Sequence, residues 1–85
     1  MENYIEIYFS YNTFETDLVG EILTSEGIPF IIRDQRMRPY PLTIDHFPEQ
    51  RFAVPRSEAS RARIAIKNAR DTGALVGDGA FVEDD

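Results

Sequence analysis

Residues 4–9 read YIEIYF, and this alternation decides the fold more than any other stretch of the chain. The odd positions hold Ile5, Ile7 and Phe9, and the even positions include Tyr4 and Tyr8. Side chains of an extended chain point alternately to opposite faces, so the pattern predicts a strand with one buried face and one outer face. The two tyrosines are expected on the outer face.

The segment after this strand predicts a helix over residues 13–26. Asn12 followed by Glu15 fits a capping box at its start. An apolar stripe is expected to cover one face of the helix and comprises Phe14, Leu18 and Ile22, with Val19 and Leu23 beside them. Gly27 suits the position after the last turn, Ile28 can make the accompanying hydrophobic contact, and Pro29 stops the helix.

Two further strands and a second helix follow. Strands are predicted over residues 29–34 and 50–54, and a helix over 57–72 with Ser57 as its N-cap. Three prolines between residues 35 and 49 exclude a regular helix or a central strand there. The predicted core comprises Ile5, Ile7, Leu18, Ile22, Ile32, Phe52, Val54, Ala62 and Ile66.

This β-α-β-β-α order predicts one α+β domain over residues 1–73, followed by an acidic C-terminal tail over 74–85. The tail is expected either as a short edge strand or as a disordered end. Its state, and whether the loop 35–49 packs on its own sheet or on a partner, stay open from sequence.

Charge is segregated along the chain, whose net charge is −6. Residues 1–32 and 71–85 hold acids and no bases, whereas residues 33–70 hold all nine bases, eight of them arginine. The simplest interpretation pairs an acidic first helix, including Glu15, with a basic second helix. A basic helix that binds an acidic partner is the alternative.

The sequence resembles a bacterial family of small domains of unknown function that are described as signal-transducing proteins. The resemblance spans roughly residues 4–70 and rests on Leu23–Pro29 (LTSEGIP), Arg33-Asp34, and Val54-Pro55 before an Ala/Arg-rich helix. It implies a two-layer ferredoxin-like or PII-like sandwich with both helices on one face of an antiparallel sheet. It implies no established reaction. The proline-rich segment 39–48 departs from the shorter connection expected in that family.

A candidate ligand site lies where the second strand enters the loop. Arg33, Arg36 and Arg38 fall within six residues, with His46 further along the loop. Guanidinium groups bind phosphate and carboxylate in bidentate fashion, so a small anion is the predicted ligand. A solvated charge run is the simpler alternative, and a small enzyme using this arginine-rich loop is a further one.

A candidate interface is predicted on the aromatic residues Tyr4, Tyr8, Tyr40 and Phe47. An outer sheet face without a covering layer usually packs on something, and a second copy of the chain is the favoured partner. Stacking of single-stranded RNA bases on the tyrosines is the alternative. The acidic composition argues against nucleic acid, since nucleic-acid binders are typically basic.

Neither a catalytic constellation nor a cofactor or metal site is predicted. The chain has no cysteine and one histidine, and it lacks phosphate-binding and calcium-binding loop motifs. No run approaches the roughly 20 apolar residues of a membrane span, and the N-terminus does not resemble a signal peptide. A non-catalytic regulatory or interaction module in the cytoplasm, acting by binding a ligand or a protein, is the resulting expectation.

Overall fold

The computed structural model describes residues 3–34 and 49–82, and within them a four-stranded antiparallel sheet with two helices. The elements are β1 (Tyr4–Ser10), α1 (Thr13–Ser25), β2 (Ile31–Asp34), β3 (Gln50–Pro55), a 3₁₀ turn (Arg56–Glu58), α2 (Ala59–Asp71) and β4 (Ala80–Phe81). The strand order across the sheet is β2-β3-β1-β4. No helix in the described part is long and apolar enough to cross a membrane.

The signals at the C-terminal end of α1 act as expected, whereas at its start the Asn12 half of the predicted capping box is present and the Glu15 carboxylate binds Tyr8 and Gly79 instead. The side chain of Asn12 accepts a hydrogen bond from the Glu15 backbone N–H at 2.7 Å. At the other end, Gly27 has a φ of 72°, which favours glycine, and Ile28 donates to the Leu23 carbonyl at 2.9 Å. Ile28 is 2% exposed, so the hydrophobic contact predicted for this cap is confirmed.

The core lies between the sheet and the helices. Five of the nine predicted core residues are fully buried, namely Ile7, Phe52, Val54, Ala62 and Ile66. Three others are partly buried and pack against the core, namely Ile5, Leu18 and Ile22. Ile32 is 43% exposed, because β2 is an edge strand and its outer side lacks a neighbour among the described residues. The prediction of Ile32 as a core residue is therefore wrong.

The sequence pattern assigned the side chains of β1 to the wrong faces of the sheet from Tyr8 onward. The pairing with β3 shifts by one residue, so that Glu6 lies opposite Ala53 and Tyr8 lies opposite Phe52. Residues directly opposite each other share a face, and Ile7 is therefore the extra residue of a β-bulge. Tyr8 consequently points toward the helices and is fully buried.

The buried stripe of α1 is also rotated from the predicted one. Its buried residues are Glu15, Thr16, Val19 and Leu23. Phe14, which was expected in the stripe, is 68% exposed. A charged residue thus occupies the core-facing position of the first turn of α1.

The described part of the C-terminal tail packs on the domain. Ala80 and Phe81 pair with Phe9 and Tyr8 of β1, and Leu75 is 4% exposed. Of the two alternatives for this segment, the edge strand is therefore the one observed. Loop residues 35–48 and tail residues 83–85 lie outside the described part.

Candidate functional site

The side of the sheet opposite the helices forms what we call the open sheet face: Glu6, Phe9, Ile31, Arg33, Arg51 and Ala53. Strand pairing places these residues on one side, with Phe9 opposite Arg51, Arg33 opposite Arg51, and Ile31 opposite Ala53. Both helices lie on the other side, because the core-facing Tyr8 hydrogen-bonds to Glu15 of α1 and to Arg70 of α2. None of the described helices covers the open sheet face.

Four charged residues on or beside the open sheet face form a chain of ion pairs. Glu6 accepts hydrogen bonds from Arg33 at 3.1 Å and from Arg51 at 3.0 Å. Arg51 also donates to Glu49 at 2.7 Å. The charges alternate along this chain, and two cations balance two anions.

The surroundings of Glu6 set its protonation. Burial is the largest single influence and acts to raise the pKa of this carboxyl, but the hydrogen bonds and charges of Arg51 and Arg33 together hold the pKa below its ordinary value of 4.5. The hydrogen bond to Glu6 in turn raises the pKa of Arg51. The Glu6 carboxylate and the Arg51 guanidinium are therefore both charged near neutral pH.

Aromatic rings adjoin the charged chain. The Arg51 guanidinium carbon lies 5.7 Å from the centre of the Phe9 ring, within the range of a cation–π contact. Tyr11 packs edge-on against Phe9 at 5.5 Å between ring centres and is 45% exposed. Ile31 is also 45% exposed. The open sheet face thus combines apolar area with charges of both signs.

A second cluster lies on the helix side of the sheet and is formed by Tyr8, Glu15 and Arg70. The Tyr8 hydroxyl donates to Glu15 Oε2 at 2.6 Å and accepts from Arg70 Nη1 at 2.6 Å. Glu15 is fully buried, and its carboxylate also accepts the Gly79 N–H at 2.9 Å and 3.1 Å. Arg70 donates to the Gly79 carbonyl at 2.7 Å. This cluster therefore binds Gly79 of the C-terminal segment through both its backbone N–H and its backbone carbonyl.

The environment of Tyr8 favours the neutral phenol. Burial is the main cause that raises the pKa of Tyr8 well above its ordinary value of 10.0. The hydrogen bond to the Glu15 carboxylate and its negative charge add to this effect, and Arg70 opposes it only in part. Since the folded state disfavours ionisation, Tyr8 contributes stability below pH 10.0, and this contribution is lost as the pH rises toward the folded-state pKa.

We therefore expect a phase of tyrosine ionisation above pH 10.0 that coincides with alkaline unfolding. The ultraviolet absorbance of phenolate and the far-ultraviolet circular dichroism, followed in one titration, will check this. This high-pH phase of tyrosine ionisation should be absent in Tyr8→Phe. It should persist in Tyr11→Phe, the matched control in which the hydroxyl of a more exposed tyrosine is removed. A Tyr8→Phe protein that keeps the high-pH phase would contradict the assignment.

The residues predicted as ligand contacts and interface lie apart. Arg33 is on the open sheet face and donates to Glu6. Tyr4 is half-buried at the start of β1, opposite Pro55. Tyr8 is buried on the other side of the sheet, so its predicted place on an outer face is wrong. The other five predicted residues lie outside the described part, namely Arg36, Arg38, Tyr40, His46 and Phe47.

The predicted pairing of oppositely charged helices takes a different form. Arg61 pairs with Glu58 at 2.6 Å and Lys67 with Asp71 at 2.9 Å, both within the second helical segment. The second helix reaches the first where Arg61 donates to the backbone carbonyl of Glu26 at 2.7 Å. Glu15, which was expected on the exposed acidic face, is buried instead.

Sequence reasoning missed Glu15 and Arg70 as a cluster. One signal was present, because Glu15 lies four and eight residues before Val19 and Leu23 and so shares their helix face. Nothing local connects Glu15 to Gly79, which is 64 positions away. Within residues 3–34 and 49–82, no three His, Cys, Asp or Glu side chains come together as metal ligands would.

Comparison with protein-family models and with curated proteins gives no significant match for this chain.

Proposed function

We propose that this chain is a non-catalytic regulatory or interaction module whose open sheet face binds a second copy of the same chain. The observation that carries the proposal is the chain of ion pairs Glu49–Arg51–Glu6–Arg33, which lies beside exposed apolar residues. A sheet face that carries apolar residues is normally covered, and the described helices cover only the other face of this sheet.

The charge pattern favours a second copy over a strongly charged partner. A two-fold symmetric interface places the same patch on both sides, so the patch must be complementary to itself. Equal numbers of arginine and glutamate satisfy this condition, since each copy can present its arginines to the other copy's glutamates. The chain as a whole carries a net charge of −6, so two copies repel each other elsewhere. The electrically balanced open sheet face is where they approach at least cost.

The apolar part of the face provides the driving force. Ile31 and Tyr11 each expose 45% of their surface, and Phe9 lies between Tyr11 and Arg51. Burial of apolar surface contributes roughly 25 cal/mol per Å². The arginine and aromatic content also matches the composition typical of protein interfaces.

The absence of a reaction is part of the proposal. Arg33 donates to Glu6, and Tyr8 and Arg70 hydrogen-bond within the second cluster. The Glu15 carboxylate is fully buried, and protein donors satisfy both of its oxygens. Side chains whose polar groups are paired with one another in this way stabilise the fold, and they are not free to react with a substrate. A small anion at the loop arginines remains a prediction, because Arg36 and Arg38 lie outside the described residues.

We also infer that the domain is ferredoxin-like and related to the bacterial signal-transducing family that its sequence resembles. The element order β1-α1-β2-β3-α2-β4 and the sheet order β2-β3-β1-β4 support the first part. The cap formed by Gly27 and Ile28 supports the second, since the family resemblance rests in part on these residues. Signal transduction by binding is the role that this relationship favours.

The test is the oligomeric state of the wild type and of two matched variants at tens of micromolar, measured by light scattering. Ile31→Glu places a charge on the open sheet face, and Ile64→Glu places the same charge on α2, where Ile64 is 60% exposed. We expect a dimer for the wild type and for Ile64→Glu, and a monomer for Ile31→Glu. A monomeric wild type, or a dimer that survives Ile31→Glu, would overturn the proposal.

A further inference from the structure

The cluster of Tyr8, Glu15 and Arg70 holds a backbone segment in the way that a peptide-binding site holds its ligand. We propose that this cluster is a strand-binding slot and that the C-terminal segment of a second copy occupies it by exchange. The inference does not depend on the open sheet face, because the slot lies on the helix side of the sheet.

The contacts of Gly79 define the slot. Its N–H donates to Glu15 at 2.9 Å, and its carbonyl accepts from Arg70 at 2.7 Å. The segment then runs along β1, where Val82 donates to the Ile7 carbonyl at 2.9 Å. Addition of a strand to a sheet edge is a recurrent mode of peptide recognition, in which main-chain hydrogen bonds provide the affinity.

Side-chain contacts make the slot selective. A Cβ atom at Gly79 would lie 2.6 Å from Glu15 Oε2 and would also collide with the Phe9 carbonyl oxygen. A Cβ atom at Gly77 would collide with Glu15 Oε1. Two positions further on from Gly79, the Phe81 ring packs edge-on against Tyr8 at 5.2 Å between ring centres. The slot therefore takes a Gly-x-Gly-x-aromatic segment.

This requirement identifies the occupant. Residues 77–81 of the chain read GDGAF and are the segment seated in the slot. A second copy carries the same segment and can make every one of these contacts without any new complementary surface. Exchange of an identical element is a low-cost route to a dimer for this reason.

The connection to the segment is suited to exchange. Only two residues form β4, and β4 lies at the edge of the sheet. Between the end of α2 and β4 the chain turns at Gly73, whose φ is 84°, and passes through Val76, which is 64% exposed. A two-residue strand has few main-chain hydrogen bonds to break, so β4 can leave the slot while the rest of the domain stays folded.

The test uses the 85-residue chain, which contains no cysteine of its own. Phe9 and Ala80 lie directly opposite each other across β1 and β4, and directly opposite residues of antiparallel strands generally have the Cα separation that a disulfide requires. A Phe9→Cys chain is mixed with an Ala80→Cys chain under mild oxidation, and disulfide-linked peptides are identified by mass spectrometry. We expect a disulfide between position 9 of one chain and position 80 of the other. A chain that carries both substitutions serves as the folding and geometry control, since it should form the bond within itself.

Two further variants in the disulfide experiment distinguish exchange of the C-terminal segment from association through the open sheet faces. Gly79→Ala in the chain that carries Ala80→Cys should abolish the mixed disulfide, because the segment no longer fits the slot. Ile31→Glu in both chains should leave it, because this substitution acts on the open sheet face. Absence of the mixed disulfide while the double variant forms its internal bond would overturn the inference, and so would a mixed disulfide that survives Gly79→Ala.

A second measurement avoids the cysteine substitutions. A fluorescently labelled peptide of residues 74–85 is titrated with the wild-type chain and followed by anisotropy. Exchange predicts saturable binding that is lost when the peptide carries Gly79→Ala. Equal binding of the two peptides, or no binding of either, would contradict a slot that works between chains.

Discussion

Replacement of Glu15 by alanine should lower the free energy of unfolding by roughly 2–6 kcal/mol, because each buried donor left without its acceptor costs about 1–3 kcal/mol and two donors lose theirs. These donors are the Tyr8 hydroxyl and the Gly79 N–H, which both bind the carboxylate. Loss of the carboxylate also releases the C-terminal segment from α1. Urea unfolding followed by circular dichroism measures the change.

The matched control is Glu21→Ala, the same substitution at an exposed position of the same helix. Substitutions at such surface sites usually change stability by less than about 0.5 kcal/mol. Equal losses for the two variants would show that the Glu15 cluster does not stabilise the fold. Amide hydrogen exchange provides a second measurement that is specific to the cluster. Glu15→Ala should increase the exchange rates of the Gly79 and Val82 amides, whereas Glu21→Ala should leave these rates unchanged.

Replacement of Phe52 by alanine should cost about 3–5 kcal/mol, the range for removal of a large buried aromatic side chain. Phe52 is fully buried in β3, lies opposite Tyr8 of β1, and packs against Phe30 at 5.6 Å between ring centres. Its loss would leave a cavity next to the Glu15 cluster as well as remove apolar contact. Calorimetric or urea unfolding gives the magnitude.

The control for Phe52→Ala is Ile32→Ala, a substitution in the neighbouring strand β2. Ile32 lies directly opposite Phe52 but is 43% exposed. We expect Ile32→Ala to cost less than about 1 kcal/mol, because much of the side chain already contacts water. A loss for Ile32→Ala as large as that for Phe52→Ala would mean that the edge of β2 is covered.

Features that depend on one or two neighbouring residues could be predicted from the sequence. Asn12 caps α1 with its side chain, and Gly27 ends the helix in a conformation that favours glycine. In both places the local backbone chemistry is sufficient, since the hydrogen-bond partners are only a few residues away. The order of the elements follows from the same kind of signal.

Features that depend on distant partners could not be predicted. Alternation assigned Tyr8 to the outer face, but the facing of a strand is set by its register against the neighbouring strand, and here that register shifts at Ile7. The role of Glu15 likewise depends on Gly79, which donates to its carboxylate, and on Tyr8, which the tertiary fold places between Glu15 and Arg70. A charged residue on an apolar helix face was the one sign of it in the sequence.

The bulge at Ile7 divides β1 into two short stretches of opposite phase. In the first stretch an even-numbered residue, Glu6, lies on the open sheet face. In the second stretch an odd-numbered residue, Phe9, lies on that face. A relative without the extra residue could keep both stretches in place, so a gap of one position at this point is the length difference that a central strand of this kind tolerates. An ungapped alignment would exchange inward and outward positions from residue 8 onward.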